Sequence, residues 1–78
     1  MKILAFGIVK DIFDGSMIDI DLNNTSTVEA LRALLEKKYP RLNDLGSYMI
    51  AINNEYASTD DCIHGKDEIA VIPPVSGG

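Results

Sequence analysis

The sequence predicts an α+β domain in which one main helix packs on one face of a mixed sheet of about four to five strands. Three features indicate this fold class: strand-like runs at both ends of the chain, one capped amphipathic helix between them, and no internal repeat or linker. A chain of 78 residues has room for one hydrophobic core. A single helical stripe and a single sheet face can bury each other, which makes this arrangement the compact one.

The first strand is predicted in the N-terminal run MKILAFGIVK. Its apolar residues fall on both faces, and Phe6 is the largest of them, which fits either an interior strand or an exposed apolar face. The turn signal Asp14-Gly15 is followed by SMIDIDL, in which apolar residues alternate with acidic ones. The two segments together predict an N-terminal hairpin whose second strand has one polar face.

The main helix is predicted in the segment STVEALRALLEKKYP. Ser26 is the expected N-cap, Glu29 completes a capping box, and Pro40 forces the preceding residue out of helical geometry. Large apolar side chains recur at helical spacing along one stripe, namely Val28, Leu31, Leu34 and Leu35.

The second half of the chain contains further strand patterns. The stretch RLNDLGS is predicted to be irregular, YMIAIN to be the third strand, and YAS to be a short extended segment after a turn at NNE. The last strand, DEIAVI, is nearly continuous in apolar residues and is therefore predicted to be central.

Composition excludes several classes of function. A net charge of −5 argues against nucleic acid and against an anionic membrane, and favours a basic protein surface as partner. The single cysteine excludes an intrachain disulfide and a two-cysteine redox or zinc motif, which suits a reducing compartment. The N-terminal run is too short for a membrane span and lacks a cleavage site, so a cytoplasmic protein is expected.

Side chains that could carry chemistry do not form a standard motif. Cys62 and His64 lie beside acidic residues at a spacing that matches no standard metal site, so no metal is predicted. Cys62 is interpreted as a small buried apolar residue, and the acidic pairs as solvated turn residues. A domain this small leaves little volume for a substrate pocket, so it is not expected to be an enzyme on its own.

The C-terminal segment PPVSGG directly follows the predicted central strand. Two prolines hold the chain extended and two glycines keep it thin, so the segment fits the narrow entrance of a partner's active site. A terminal carboxylate is ionised at neutral pH and must be activated before it can react as an acyl group. The sequence therefore predicts a domain over residues 1–72 and an extended reactive tail over 73–78.

These residues resemble a known family. The segments IAVIPPVSGG, ILAFGIVKD, TVEALRALLEKKYP and IAINNE are similar to the small subunit of molybdopterin synthase, the MoaD family of ubiquitin-like sulfur carriers. The resemblance covers essentially the whole chain and implies a β-grasp fold. It implies no cofactor on this chain, but ATP is used by an adenylating enzyme, and a sulfur donor such as a cysteine desulfurase or rhodanese takes part.

The resemblance also implies a role for particular residues. Gly78 is the residue that is adenylated, converted to a thiocarboxylate, and used to donate sulfur to a cyclic pterin precursor in the large molybdopterin synthase subunit. Gly77 keeps the tail thin in that scheme. The other residues implied to contact partners are Phe6, Lys10, Pro73, Pro74, Val75 and Ser76.

Other interpretations remain open at this stage. Phe6 is equally well explained as a core residue, and Lys10 as an ordinary surface lysine. The sulfur could serve another pathway, such as the synthesis of the thiamin thiazole or of cysteine. The chain could instead be a ubiquitin-like modifier joined through Gly78 to lysines of other proteins, or an interaction domain with an inert tail.

Overall fold

The computed structural model describes residues 1–21 and 27–74. Within them, one mixed sheet has the strand order β2-β1-β5-β3-β4. The strands are β1 Lys2–Ala5, β2 Met17–Asp19, β3 Met49–Ile52, β4 Glu55–Tyr56 and β5 Ile69–Ile72. The helices are α1 Ile8–Phe13, α2 Val28–Lys38 and a 3₁₀ helix over Pro40–Leu45.

The last strand lies at the centre of the sheet. β5 pairs in parallel with β1 and antiparallel with β3, so the first and last strands of the chain are neighbours. The outer pairs, β1 with β2 and β3 with β4, are antiparallel. The predicted fold class and the central position of the last strand are both confirmed.

The main helix covers one face of this sheet and forms the core with it. The core also takes in residues of α1 and of the 3₁₀ helix, and its buried members are Ile3, Ala5, Val9, Ile12, Phe13, Ile20, Val28, Leu31, Leu35, Leu42, Tyr48, Ile50, Ile63, Ile69 and Val71. Three of the four residues of the predicted stripe are fully buried, and Leu34 is half-buried.

The N-terminal cap of α2 differs from the prediction. Thr27, not Ser26, is the N-cap, and its hydroxyl accepts a hydrogen bond from the backbone N–H of Ala30 at 3.2 Å. Ser26 lies outside the described residues. The predicted N-cap was therefore wrong by one position, because two adjacent hydroxyl residues offer the same cap chemistry. With Thr27 as the cap, the third helical position is Ala30 and not Glu29, so the predicted capping box was wrong as well. The C-terminal end agrees: α2 stops at Lys38, and Tyr39 has a non-helical φ of −127° before Pro40.

The predicted tight hairpin at the N-terminus was wrong in its connection. β1 and β2 do pair, but α1 lies between them and buries Val9, Ile12 and Phe13. Asp14 adopts the left-handed conformation with φ 60° and ends this helix, so the Asp14-Gly15 signal marks a helix C-terminus. The stretch predicted to be irregular contains the 3₁₀ helix, whose Leu42 is buried.

A polar cluster fastens α2 to the start of β3. The buried Tyr48 donates its hydroxyl hydrogen to Oε2 of Glu36 at 2.5 Å, and the guanidinium carbon of Arg32 lies 4.6 Å from the centre of its ring. Burial, followed by the bond to Glu36, raises the pKa of Tyr48 to about 12. The hydroxyl therefore stays protonated and bonded throughout the neutral range.

The stability of the domain should depend on this proton at high pH. Because the folded-state pKa of Tyr48 lies above the ordinary value of 10.0, its contribution is complete below about pH 10 and is lost between pH 10 and 12. We expect Tyr48→Phe, which keeps the ring under Arg32, to flatten the fall in free energy of unfolding across that window. Urea unfolding at several pH values measures this slope, and equal slopes for the two proteins would contradict the assignment.

Candidate functional site

The C-terminal tail begins where the central strand of the sheet ends. β5 ends at Ile72, Pro73 is half-buried and Pro74 is exposed. Proline has no N–H and therefore cannot extend the pairing of β5 with its neighbours through that group. The chain leaves the sheet at this point, between β1 and β3. The rest of the predicted reactive tail lies outside the described residues, namely Val75, Ser76, Gly77 and Gly78.

The sheet face opposite the core is apolar and open. One row of cross-strand partners crosses all five strands, and its members in spatial order are Met17, Leu4, Ala70, Ala51 and Tyr56. A second row nearer the tail contains the partners Ile72 and Met49. Phe6, just beyond β1, borders the same surface. We call these eight residues the open sheet face.

Exposure sets this surface apart from the core. Phe6 is 45% exposed, Met17 49%, Met49 45% and Tyr56 69%. Ala51 is buried, yet it lies outside the core cluster because it belongs to this face. Large apolar side chains grouped in this way mark an interaction surface, whereas single ones are ordinary. Of the two readings of Phe6, the exposed position is therefore confirmed and the core position was wrong.

A shallow depression of about 260 Å³ lies within the open sheet face. Small residues border it, Ala51 and Ala70, and larger side chains stand beside them, including Phe6, Tyr56 and Ile72. Asn54 and Glu68 add polar groups to its lining. Its mainly apolar walls suit the side chain of a docked protein better than a small polar substrate.

Lys10 is exposed on α1, the helix that follows β1. Its backbone carbonyl accepts the N–H of Gly15 at 2.9 Å, which fixes the backbone where the side chain starts. The structure thus places an exposed, positively charged side chain on the element directly after Phe6. Its predicted partner contact stays a prediction.

Cys62 does not have the predicted buried position. It is exposed, because it forms an isolated antiparallel bridge with Thr27 while the next residue, Ile63, takes the inward side. Alternation along extended backbone then points Cys62 outward. His64 is exposed as well. Within residues 1–21 and 27–74, no three ligand-type side chains come together as a metal site.

Asp67 organises the loop before β5. Its carboxylate accepts the backbone N–H of His64 at 2.8 Å and the side-chain amide of Asn53 at 3.0 Å. The hydrogen bond from His64 is the main reason why the pKa of Asp67 lies below its ordinary value, and the bond from Asn53 is the second. Asn53 also bonds the backbone of Glu68 in both directions, at 2.9 and 2.8 Å. Asp67 and Asn53 together thus fix the turn that leads into β5.

Comparison with known proteins identifies the family. The sequence profile of the ThiS family matches residues 3–78. The chain belongs to the ThiS family. A relative within curated proteins is the molybdopterin synthase sulfur carrier subunit of Dictyostelium discoideum, which is 40% identical over 99% of this chain and 94% of its own length. The resemblance stated from the sequence is therefore confirmed.

Solved structures agree with the fold of this ThiS-family chain. Subunit 1 in the complex of subunits 1 and 2 of the molybdopterin-converting factor of Helicobacter pylori is 28% identical, with a TM-score of 0.69 and coverage of 99% and 96% of the two chains. Small archaeal modifier protein 1 of Haloferax volcanii is 22% identical, with a TM-score of 0.78 and coverage of 95% of each chain. The latter likeness shows the fold alone. Both agree with the predicted ubiquitin-like β-grasp architecture.

In the described part of this ThiS-family chain, no helix is both long and apolar enough to cross a bilayer.

The sequence alone did not reveal most of the open sheet face. Part of this face could have been found from the alternation of side chains along the strands. Alternation puts Met49 and Ala51 on the same face of β3, and Ala70 and Ile72 on the same face of β5. Only the strand order shows that these pairs share their side with Leu4 and Phe6.

Proposed function

We propose that this chain is a sulfur carrier of molybdenum cofactor biosynthesis, acting as the small subunit of a molybdopterin synthase. The observation that carries the proposal is the 40% identity to a molybdopterin synthase sulfur carrier subunit over nearly the full length of both chains. The family match also extends to Gly78. On this proposal residues 1–72 form the carrier domain and residues 73–78 its reactive tail.

The chemistry takes place at the carboxyl group of Gly78. An adenylating enzyme lets this carboxylate attack the α-phosphate of ATP, which releases pyrophosphate and forms an acyl-adenylate. Hydrosulfide, or its equivalent from a sulfur donor and a thiol reductant, then displaces AMP and leaves a thiocarboxylate. Activation is needed because the free carboxylate is ionised and does not accept a nucleophile. The chain itself binds no cofactor in this scheme.

Sulfur delivery takes place in the large subunit. The thiocarboxylate sulfur attacks a carbon of a cyclic pterin precursor and replaces an oxygen substituent there, whose C–O bond breaks and whose oxygen leaves with a proton. Water then cleaves the acyl–sulfur bond, which leaves the sulfur on the pterin and returns Gly78 to its carboxylate. Pro73, Pro74, Val75 and Ser76 span the distance as an extended thread, and Gly77 lets the thread pass a narrow entrance. The carrier is thus a non-catalytic subunit of the synthase.

The open sheet face is the docking surface in this proposal. The Helicobacter pylori structure, in which subunit 1 of the molybdopterin-converting factor is bound to subunit 2, supports a large subunit as the partner. Phe6 provides an exposed aromatic side chain of the kind that dominates binding energy in protein interfaces. Lys10 adds a charge beside it, and the net charge of −5 orients the carrier toward basic partner surfaces.

Intact-protein mass spectrometry tests the proposal. The chain is incubated with ATP, an adenylating enzyme and a sulfur donor, beside a matched chain that lacks Gly78. We expect a mass gain equal to the exchange of one oxygen for one sulfur atom, in the full chain only. No gain with any of several adenylating enzymes would contradict it. Conjugates of higher mass in cell extract would then favour a protein modifier, and their absence an inert tail.

A further inference from the structure

A glycine lies against the base of the tail. A Cβ atom built on Gly7 would come within 3.0 Å of Cγ and 3.9 Å of Cδ of Pro73. The first distance is shorter than ordinary van der Waals contact, so an L side chain at position 7 would push the proline ring away by a few tenths of an ångström. The ring of Pro73 therefore occupies space that the Cβ of an L residue at position 7 would need. We call this contact the glycine seat.

The backbone of Gly7 gives a second, independent reason for glycine. Its φ of 56° and ψ of −133° are unfavourable for L residues. With this conformation the chain turns out of β1 and into α1, where the carbonyls of Phe6 and Gly7 accept the N–H groups of Val9 and Lys10 at 3.0 and 3.1 Å. The same residue thus makes the turn and leaves room for the ring.

The sheet topology explains why these two residues meet. β1 and β5 are parallel and in register, with Ala5 opposite Val71, so both strands end at the same edge of the sheet. After β1 the chain turns away at Gly7, and after β5 it continues into Pro73. Because proline has no N–H to donate, the approach of its ring to Gly7 is a packing contact and not a hydrogen bond.

We propose that Gly7 is a positioning residue for the reactive terminus: its bare Cα seats the ring of Pro73 and so sets the direction in which the tail leaves the sheet. This inference rests on the proposed sulfur-carrier function. The docking surface and the tail are joined at this point, so the seat fixes the angle between them. A misdirected tail would dock normally yet present its terminus in the wrong place, and a shift of about 1 Å can cost about 100-fold in rate.

The test uses a double-mutant cycle made of wild type, Gly7→Ala, Pro73→Ala and the double variant. Each chain is loaded chemically, by cleaving a C-terminal intein fusion with ammonium sulfide, so that loading does not depend on an adenylating enzyme. Two quantities are measured: the affinity of the chain for the large subunit, and the single-turnover rate of sulfur transfer at saturation. An NMR cross-peak between the Hα protons of Gly7 and the ring protons of Pro73 reports the seat directly.

We expect Gly7→Ala to lower the saturated transfer rate about tenfold or more and to leave the affinity unchanged. In the Pro73→Ala background the same substitution should have a much smaller effect, because the ring it collides with is gone. A chemically synthesised chain with D-alanine at position 7 should transfer sulfur like wild type. D-alanine accepts the positive φ and carries its methyl group on the other side of Cα.

Other results would overturn the inference. They are a wild-type rate in Gly7→Ala, an equal loss in both backgrounds, a loss of affinity that matches the loss of rate, or an absent Gly7–Pro73 cross-peak in wild type. The proposed function fails separately, if loaded wild-type chain transfers no sulfur. The seat is then judged by the cross-peak alone.

Discussion

Removing Gly77 and Gly78 will abolish sulfur loading and sulfur transfer and leave the free energy of unfolding unchanged. The core cluster of the described residues extends no further along the chain than Val71, and β5 ends at Ile72, so the deletion removes nothing from this core. The new terminus on Ser76 would carry a side chain and end two residues short of the reaction site. Thermal unfolding and the mass gain after activation measure the two effects.

A matched variant separates the glycines from the terminal group. It keeps both glycines and adds one alanine after Gly78, which moves the carboxylate by one residue. We expect it to fold like wild type and to be inactive in sulfur transfer. Sulfur transfer by either variant would refute the reactive-tail proposal, whereas a marked fall in unfolding temperature would show that the tail is part of the fold.

The second large effect is expected from Phe6→Asp. A charged group in place of this exposed aromatic side chain would have to be desolvated in the complex with the large subunit, and interface aromatics of this type carry about 2 kcal/mol or more. We therefore expect an affinity loss of about 30-fold or more, measured by calorimetry with the unloaded chain. The fold should persist because Phe6 is 45% exposed.

Ile8→Asp is the control for this substitution. Ile8 is also apolar and 45% exposed, but it is on α1 and outside the open sheet face. Its replacement adds the same charge two residues away. If both variants lose affinity equally, the added charge and not the sheet face explains the loss, and the docking surface has been assigned wrongly.

The sequence predicted the elements whose patterns are long and one-sided. The apolar stripe of α2 is buried when the helix covers the sheet. The unbroken apolar run of β5 is buried when this strand lies at the centre of the sheet. α1 was missed because it has only six residues, and its Ile and Val side chains also favour strands. Its Val9, Ile12 and Phe13 do follow helical spacing, which is a weak signal in so short a segment.

The site was less predictable, since it depends on contacts between distant parts of the chain. An apolar pattern on both sides of β1 could not decide whether Phe6 was buried, because that depends on whether anything covers the second sheet face. The glycine seat joins positions 7 and 73 only through the parallel pairing of β1 and β5. Cys62 was predicted wrongly for a local reason, because the neighbouring Ile63 takes the buried side.

The central position of β5 also links folding to protein synthesis. β5 joins both halves of the sheet and is synthesised after its partners β1 and β3. The two partners therefore cannot pair with it until late in synthesis, and contacts between segments far apart in the chain form slowly. On the proposed function, a chain interrupted before residue 69 would lack the middle of the sheet, and with it Ala70 and Ile72 of the open sheet face.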